Sequence, residues 1–113
     1  MANNKTPCFT AKAEVIEDYH RRAKYVEARL YSVELDRLNV DDEFVLFSCR
    51  TSVRLRIVRK VCYENYERLL KSEVLSDILP GVKSEGEFRA RVREYYPFSL
   101  KGKRFLVFGV VLV

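Results

Sequence analysis

The sequence predicts an α+β fold, a small β-barrel with helices packed across its openings. Residues 24–31 alternate apolar and polar side chains, which is the period of a half-buried strand. Residues 43–61 contain two strand-like runs joined by a short turn, and residues 104–113 form an almost unbroken apolar run. Segments with helical spacing lie between these strands, and this mixed order is typical of an α+β domain.

Apolar residues recur at helical spacing in three segments, 11–22, 63–79 and 84–95. Pro80 and Gly81 form a stop signal after the second of these helices. Ser84 is a suitable N-cap for the third helix, with Glu87 three residues later as in a capping box. The polar connection 32–42 contains two apolar residues and is expected to include a helical turn.

The strands differ in their expected burial. Residues 43–49 are nearly all apolar, which predicts a strand buried on both faces. Residues 53–61 alternate, which places Arg54, Arg56 and Lys60 together on an outer face. The apolar run 104–113 predicts a strand in the middle of the sheet.

Length and composition indicate one domain. The chain has 113 residues, and we expect a disordered tail over residues 1–8 followed by a single domain over 9–113. No apolar segment is long enough for a signal peptide core or a membrane span, which favours the cytoplasm or nucleus. The three cysteines show no metal-ligand spacing, so we expect no metal site, and Cys49 and Cys62 are predicted to be buried thiols.

The net charge is +5, from 21 basic and 16 acidic residues, and most of the basic residues are arginines. Because arginine makes planar contacts to phosphates and bases, this charge balance favours an anionic partner. This indication is weak, since charge that only keeps a protein soluble would explain the same balance. The polar face of the 24–31 strand is more specific. It carries Tyr25, Glu27, Arg29 and Tyr31, with Lys24 at its entrance.

These residues could hold a planar or anionic ligand. The two cationic side chains could bind phosphate or a base carbonyl, the carboxylate could accept hydrogen bonds from a base, and a tyrosine could stack on it. The alternative is that Glu27 and Arg29, two apart on one strand face, form a routine surface ion pair.

The run KYVEARLYS, followed by LNVDDEFVLF, ILPGVKSEGE, YYP and a closing apolar strand, resembles the ASCH domain family. That family belongs to the PUA-like β-barrels and has the signature Gly-x-Lys-x-x-Glu-x-Arg. Lys24, Glu27 and Arg29 match its Lys, Glu and Arg positions. Two departures are that Arg22 and Tyr25 stand where the family has Gly and Thr. A third is Asp41, at the position of a turn glycine, where aspartate can adopt the left-handed backbone.

The resemblance implies a cleft beside the barrel for RNA or a nucleotide, with no cofactor. Arg22, Lys24, Tyr25, Glu27, Arg29 and Tyr31 are its candidate binding residues. Arg54 and Arg56 form a second candidate patch that could follow a phosphate backbone, or could simply be a charged outer strand face. For the loop 101–104, which is also basic, a solvated turn is the favoured interpretation.

Two alternatives to a binding module remain open. The first is a small enzyme of the same family, a ribonuclease or a nucleoside amidohydrolase, with Lys24 and Tyr19 as its candidate catalytic residues. The amidohydrolase constellation of Lys, Thr and Glu is broken here, because Glu27 occupies the aligned threonine position and the glutamate position falls near Gly81. The second alternative is a protein-interaction adaptor in which the cleft is vestigial. The oligomeric state is not predicted.

Overall fold

The computed structural model describes residues 6–113 as five strands and five helices. In chain order they are β1 (Cys8–Thr10), α1 (Ala13–His20), β2 (Val26–Leu30), α2 (Val33–Asp36), β3 (Glu43–Phe47), β4 (Ser52–Tyr63), α3 (Tyr66–Ser72), α4 (Leu75–Ile78), α5 (Glu85–Tyr95) and β5 (Phe105–Leu112). Most of the predicted tail, residues 1–5, lies outside the described residues. Cys8, placed in that tail by the sequence, begins β1 instead, because a three-residue strand is too short to show an alternating pattern.

The strands form one sheet in the order β1-β3-β4-β5-β2. β1 pairs with β3 in parallel, and all the other neighbours are antiparallel. The edge strands β1 and β2 share no hydrogen-bonded ladder, but Arg29 on β2 donates from Nη2 to the Thr10 carbonyl on β1 at 2.7 Å. The predicted closed barrel is therefore a curled, five-stranded sheet whose two edges are bridged by a side chain.

Two apolar clusters lie on opposite faces of this sheet, and β5 contributes to both. Leu106, Phe108 and Val110 pack with α1 and α2 in the first cluster. Phe105 and Val107 pack with α3, α4 and α5 in the second. This alternation explains the unbroken apolar run, and the prediction that the last strand lies inside the sheet is confirmed.

The prediction that β3 is buried on both faces is wrong. Phe44 and Leu46 are buried, whereas Phe47 is 40% exposed, because β3 contributes to the apolar clusters only through Phe44 and Leu46 on its other side. The hairpin from β3 into β4 is confirmed.

β4 contains an irregularity that alternation alone does not reveal. A β-bulge lies between Ile57 and Arg59, and beyond it Lys60 pairs with Phe108, on the face of the first cluster. Lys60 therefore lies on the opposite face from Arg54 and Arg56, and the prediction that these three side chains share a face is wrong.

The predicted helix over 63–79 is two helices, α3 and α4, with a break at Glu73. Glu73 has an extended backbone, φ −105° and ψ 150°, and its carboxylate accepts two hydrogen bonds from Arg59, at 2.7 and 2.9 Å, and one from Tyr63. These tertiary contacts stabilise the interruption at Glu73, although the apolar residues of 63–79 recur at helical spacing. The Ser84 N-cap of α5 is confirmed, since its hydroxyl accepts from the Glu87 amide at 3.1 Å.

Two non-glycine residues within 6–113 have positive φ, Arg22 at 59° and Asp41 at 78°. Arg22 ends α1 in a Schellman motif, in which its amide donates to the Tyr19 carbonyl and the Ala23 amide donates to the Asp18 carbonyl. The expected left-handed backbone at Asp41 is confirmed.

Cys8, Cys49 and Cys62 are exposed free thiols, so the prediction that the last two are buried is wrong. Cys49 follows β3 in the hairpin turn, and Cys62 lies near the end of β4. Across residues 6–113, no helix has the length and apolarity required to cross a membrane.

Candidate functional site

A cavity of about 430 Å³ lies along the edge of β2 that has no neighbouring strand. The start of α1 forms one wall, and α3, α4 and α5 form the other. Its size falls within the usual range for small-molecule sites, roughly 300–1,000 Å³. The cavity therefore occupies the gap that strand pairing would fill in a closed barrel.

Glu27 lies at the centre of a buried polar network beside this cavity and is only 5% exposed. Its Oε1 accepts a hydrogen bond from the Tyr19 hydroxyl at 2.7 Å, and its Oε2 accepts from Arg29 Nε at 2.7 Å. Lys24 Nζ lies 3.7 Å from Oε1. The carboxylate thus gathers three side chains that come from α1, β2 and the loop between them.

The ammonium group of Lys24 is held by the protein itself. Lys24 is 6% exposed, and its Nζ donates to the Val26 carbonyl at 2.6 Å and to the Ile78 carbonyl at the end of α4. These bonds use two of the three ammonium hydrogens, and Glu27 Oε1, at 3.7 Å, is an ion-pair partner beyond hydrogen-bond distance. Lys24 therefore fixes α4 against β2.

The ionisation of the network follows from its burial and charges. Burial alone would raise the pKa of Glu27, but the charges of Lys24 and Arg29 and the hydrogen bonds from Tyr19 and Arg29 hold it below its ordinary value. Burial and the adjacent carboxylate raise the pKa of Tyr19 well above its usual range, and burial lowers the pKa of Lys24 against the attraction of Glu27. At neutral pH the site therefore contains a carboxylate and a neutral phenol.

The backbone of β2 adds a polar pair to the cavity. The bonds from the Val110 amide to the Tyr25 carbonyl and from the Tyr31 amide to the Arg104 carbonyl show that odd-numbered residues bond to β5. The N–H and C=O of Ala28 therefore point toward the free edge, where Ala28 lines the cavity. Among residues 6–113, neither group has a hydrogen-bond partner.

The same edge is occupied on both sides of Ala28. Lys24 binds the Val26 carbonyl, and the Leu30 amide donates to the Tyr96 hydroxyl at 3.4 Å. The N–H and C=O of Ala28 thus remain as one hydrogen-bond donor and one acceptor in a recess between the Lys24 and Tyr96 side chains.

Aromatic side chains from α5 and its C-cap form the opposite wall. Tyr95 and Tyr96 line the cavity with Tyr66 and Phe105, and Lys12 Nζ lies 4.5 Å from the centre of the Tyr95 ring. Arg29 keeps its Nη1 hydrogens free of protein partners within the described chain. The arrangement offers stacking surfaces, a backbone donor and acceptor, and two cations at one opening.

The structure brings together Tyr19, Lys24, Glu27 and Arg29, as the sequence predicted for one cleft. Their orientation differs from that prediction. Glu27 and Arg29 do form an ion pair, but the carboxylate is buried under α1 instead of facing solvent on an open strand surface. Lys24 is inside the protein and not at an entrance.

Three other predicted residues lie outside this cavity. Tyr25 is 54% exposed, and Arg22 is an exposed helix terminus. The Tyr31 hydroxyl donates to Asp36 at 3.0 Å, and the Arg104 guanidinium covers the Tyr31 ring at 3.8 Å. None of these three residues lines this cavity, in contrast to Lys24, Glu27 and Arg29.

Arg54 and Arg56 lie on the outer face of β4, where both bind Glu43. The Arg54 Nη1 atom lies 3.0 Å from one carboxylate oxygen, and the Arg56 Nη2 atom lies 3.2 Å from the other. Their hydrogen bonds hold the pKa of Glu43 below its usual value. These arginines are therefore partly neutralised and do not join the cavity.

Sequence reasoning missed Lys12, Ala28, Tyr66, Tyr95 and Tyr96. Ala28 carries no side-chain signal, since its contribution is backbone. The two adjacent tyrosines were noted only as part of the family resemblance, and the position of α5 over the edge of β2 is a tertiary feature.

No protein-family model matches the chain, and no curated protein matches it. Solved structures similar in fold include the following two. Hypothetical protein PH0355 has a TM-score of 0.77 at 19% identity, covering 96% of this chain and 100% of that chain. Protein PF0455 from Pyrococcus furiosus has a TM-score of 0.70 at 21% identity, covering 96% of this chain and 98% of that chain. At such identities the likeness concerns the fold alone.

Proposed function

We propose that this protein binds the base of a nucleotide, free or at an RNA terminus, in the cavity along β2. The observation that carries the proposal is the unpaired N–H and C=O of Ala28 on the cavity wall. A nucleobase edge presents adjacent acceptors and donors that complement such a pair. Tyr95 and Tyr96 offer stacking surfaces, and Lys12 and Arg29 offer positive charge for a phosphate.

The backbone also supports the resemblance to the ASCH family. Arg22 and Asp41 stand where that family has glycines, and they are the residues within 6–113 other than glycine whose φ is positive. A shared backbone requirement explains why glycine is used at these positions elsewhere. The resemblance implies a nucleic-acid or nucleoside ligand, consistent with the chemistry of the cavity.

Binding is favoured over catalysis by the protonation states of the network. General acids and bases work best with a pKa near the operating pH. The pKa of Glu27 is displaced downward and that of Tyr19 upward, so both move away from neutrality. The pKa of Lys24 shifts downward, but its ammonium group is held by hydrogen bonds to two carbonyl oxygens and by the charge of Glu27. This network holds Arg29 and the edge of β2 in position.

A small planar ligand is favoured over a peptide added as a sixth strand. Strand addition uses successive edge residues of the receiving strand. Here Lys24 takes the Val26 carbonyl and Tyr96 takes the Leu30 amide, which leaves one residue with both groups free. An adaptor that binds an extended peptide at β2 is therefore disfavoured.

The test is a substitution that removes the Ala28 N–H. Because that N–H faces a free strand edge, Ala28→Pro removes no ladder hydrogen bond and is tolerated at such a position. We expect it to weaken the binding of nucleoside monophosphates, measured by calorimetry, by about tenfold, since one hydrogen bond is worth about 1 kcal/mol or more.

The matched control is Ala28→Ser, which keeps the N–H and should bind within about threefold of the wild type. Amide hydrogen exchange of β5 in both variants checks that the sheet is intact. Equal binding by the two variants, or no binding of any nucleotide by the wild type, would contradict the proposal.

A further inference from the structure

A second cavity, of about 690 Å³, opens beside the first on the other side of α5 and α3. Tyr66, Val92 and Tyr96 line both cavities, so these three side chains form a common wall. The remainder of the second cavity comes from the start of α3, from Arg89 and Arg93 on α5, and from the 98–102 segment before β5. The two cavities are therefore adjacent and are separated by this common wall.

The common wall contains an unsatisfied polar group. The Tyr66 hydroxyl is buried and, among residues 6–113, has no hydrogen-bond partner. A buried hydroxyl without a partner is disfavoured, so the burial of this group costs free energy. The Arg89 guanidinium lies 5.3 Å from the centre of the Tyr66 ring.

The second cavity also presents an exposed aromatic ring and free cations. Phe98 is 52% exposed, and its ring centre lies 6.0 Å from that of Tyr96, which lines both cavities. Arg93 and Lys101 form no ion pair with any of residues 6–113. The lining contains three basic side chains, Arg89 among them, against Glu64 and Glu67, and Glu67 is paired with Arg89 at 2.9 Å.

We infer that the second cavity binds the neighbouring nucleotide of a single strand whose terminal base occupies the cavity along β2. This inference rests on the proposed function of the first cavity. Phe98 stacks on the second base, and Arg93 and Lys101 bind the connecting phosphate. Exposed aromatic rings beside cations are the usual components of single-strand binding surfaces.

The test compares uridine and adenosine monophosphates with the corresponding di- and tetranucleotides by fluorescence anisotropy. The wild type should bind the dinucleotide about tenfold more tightly than the monophosphate, since stacking adds affinity for each base. Its affinity should fall with salt at a slope of about 0.7 for each phosphate bound. Phe98→Ala and Lys101→Glu should each reduce this gain without changing monophosphate binding. The control is Lys83→Glu, an exposed lysine outside both cavities.

The outcomes separate the two proposals. Monophosphate binding with no gain for longer strands, or a gain that survives both Phe98→Ala and Lys101→Glu, overturns the second site and leaves the first intact. No binding of monophosphate or oligonucleotide overturns both. Displacement of the tetranucleotide by an acidic tetrapeptide at equal concentration overturns the assignment of the second cavity to nucleic acid.

Discussion

At the scale of single residues, the carboxylate of Glu27 determines how the side chains of the site are arranged. Glu27 is buried, ionised and bonded to Tyr19 and Arg29, with Lys24 close by, so it organises groups from three segments. A buried charge is stable only when such partners surround it. The residues that the sequence singled out are therefore important for positioning the β2 edge, while the atoms offered to a ligand belong to Ala28 and the aromatic wall.

We expect Glu27→Gln to destabilise the protein at neutral pH by about 3 kcal/mol, because Lys24 loses its buried counter-charge. The folded-state pKa of Glu27 lies below 4.5, so its charge stabilises the fold fully above that pH. As the pH falls from 4.5 toward the folded pKa, the unfolded chain takes up the proton first, and this stabilisation is lost.

Urea unfolding of wild type and variant across this pH range should therefore show a free-energy difference that narrows in acid. Glu64→Gln, at an exposed carboxylate, is the control. A difference that stays constant down to strongly acidic pH would contradict the ionised state of Glu27.

Arg22→Gly should stabilise the protein. Arg22 occupies the left-handed position of a Schellman motif, and this backbone conformation costs a non-glycine residue about 1–2 kcal/mol. Glycine avoids this cost, but its greater freedom in the unfolded chain offsets part of the stability gained. We expect a net gain of about 0.5–1 kcal/mol in urea unfolding. Arg21, at φ −80°, is the control, and Arg21→Gly should destabilise. Equal effects of the two substitutions would refute this account.

At the scale of elements, the sequence predicted those strands whose order of apolar and polar side chains alone indicates which faces are buried. β5 is apolar throughout and lies inside the sheet as expected, and β4 alternates as expected as far as the bulge after Ile57. β1 was missed because its three residues acquire strand geometry only by pairing with β3. The predicted helix over 63–79 is interrupted because Glu73 contacts Arg59 and Tyr63. The spacing of apolar residues along the chain carries no information about such tertiary contacts. The site was only partly predictable for the same reason, since α5 covers β2 through tertiary packing.

The bulge in β4 depends on a glycine in β5. A Cβ atom at Gly109 would lie 3.1 Å from Arg59 Cβ, and Arg59 is held by its ion pair with Glu73. We expect Gly109→Ala to cost about 1–3 kcal/mol, measured by thermal or urea unfolding. Gly86, on the exposed side of α5, has only Ser84 Oγ within 4 Å, at 3.9 Å, and Gly86→Ala should be neutral or slightly stabilising. The reverse order would contradict the packing at the bulge.

For the whole molecule, the basic net charge is a poor guide to the binding surface. Four arginines are paired with glutamates: Arg54, Arg56, Arg59 and Arg89. Cations without an ion pair among residues 6–113 include Lys12 and Lys101 at the openings of the two cavities, but also exposed residues away from both, such as Lys83. We therefore expect recognition to depend on shape and hydrogen bonding, with a modest dependence on salt.

The most direct measurement is a ¹H–¹⁵N correlation spectrum titrated with nucleoside monophosphates. We expect the Ala28 amide to shift most strongly, together with the amides of Leu30, Lys12 and Tyr95. The β3–β4 hairpin, which carries Arg54 and Arg56, should stay unchanged. Shifts confined to that hairpin, or a spectrum unaffected at millimolar ligand, would contradict the assignment of the β2 edge as the binding site.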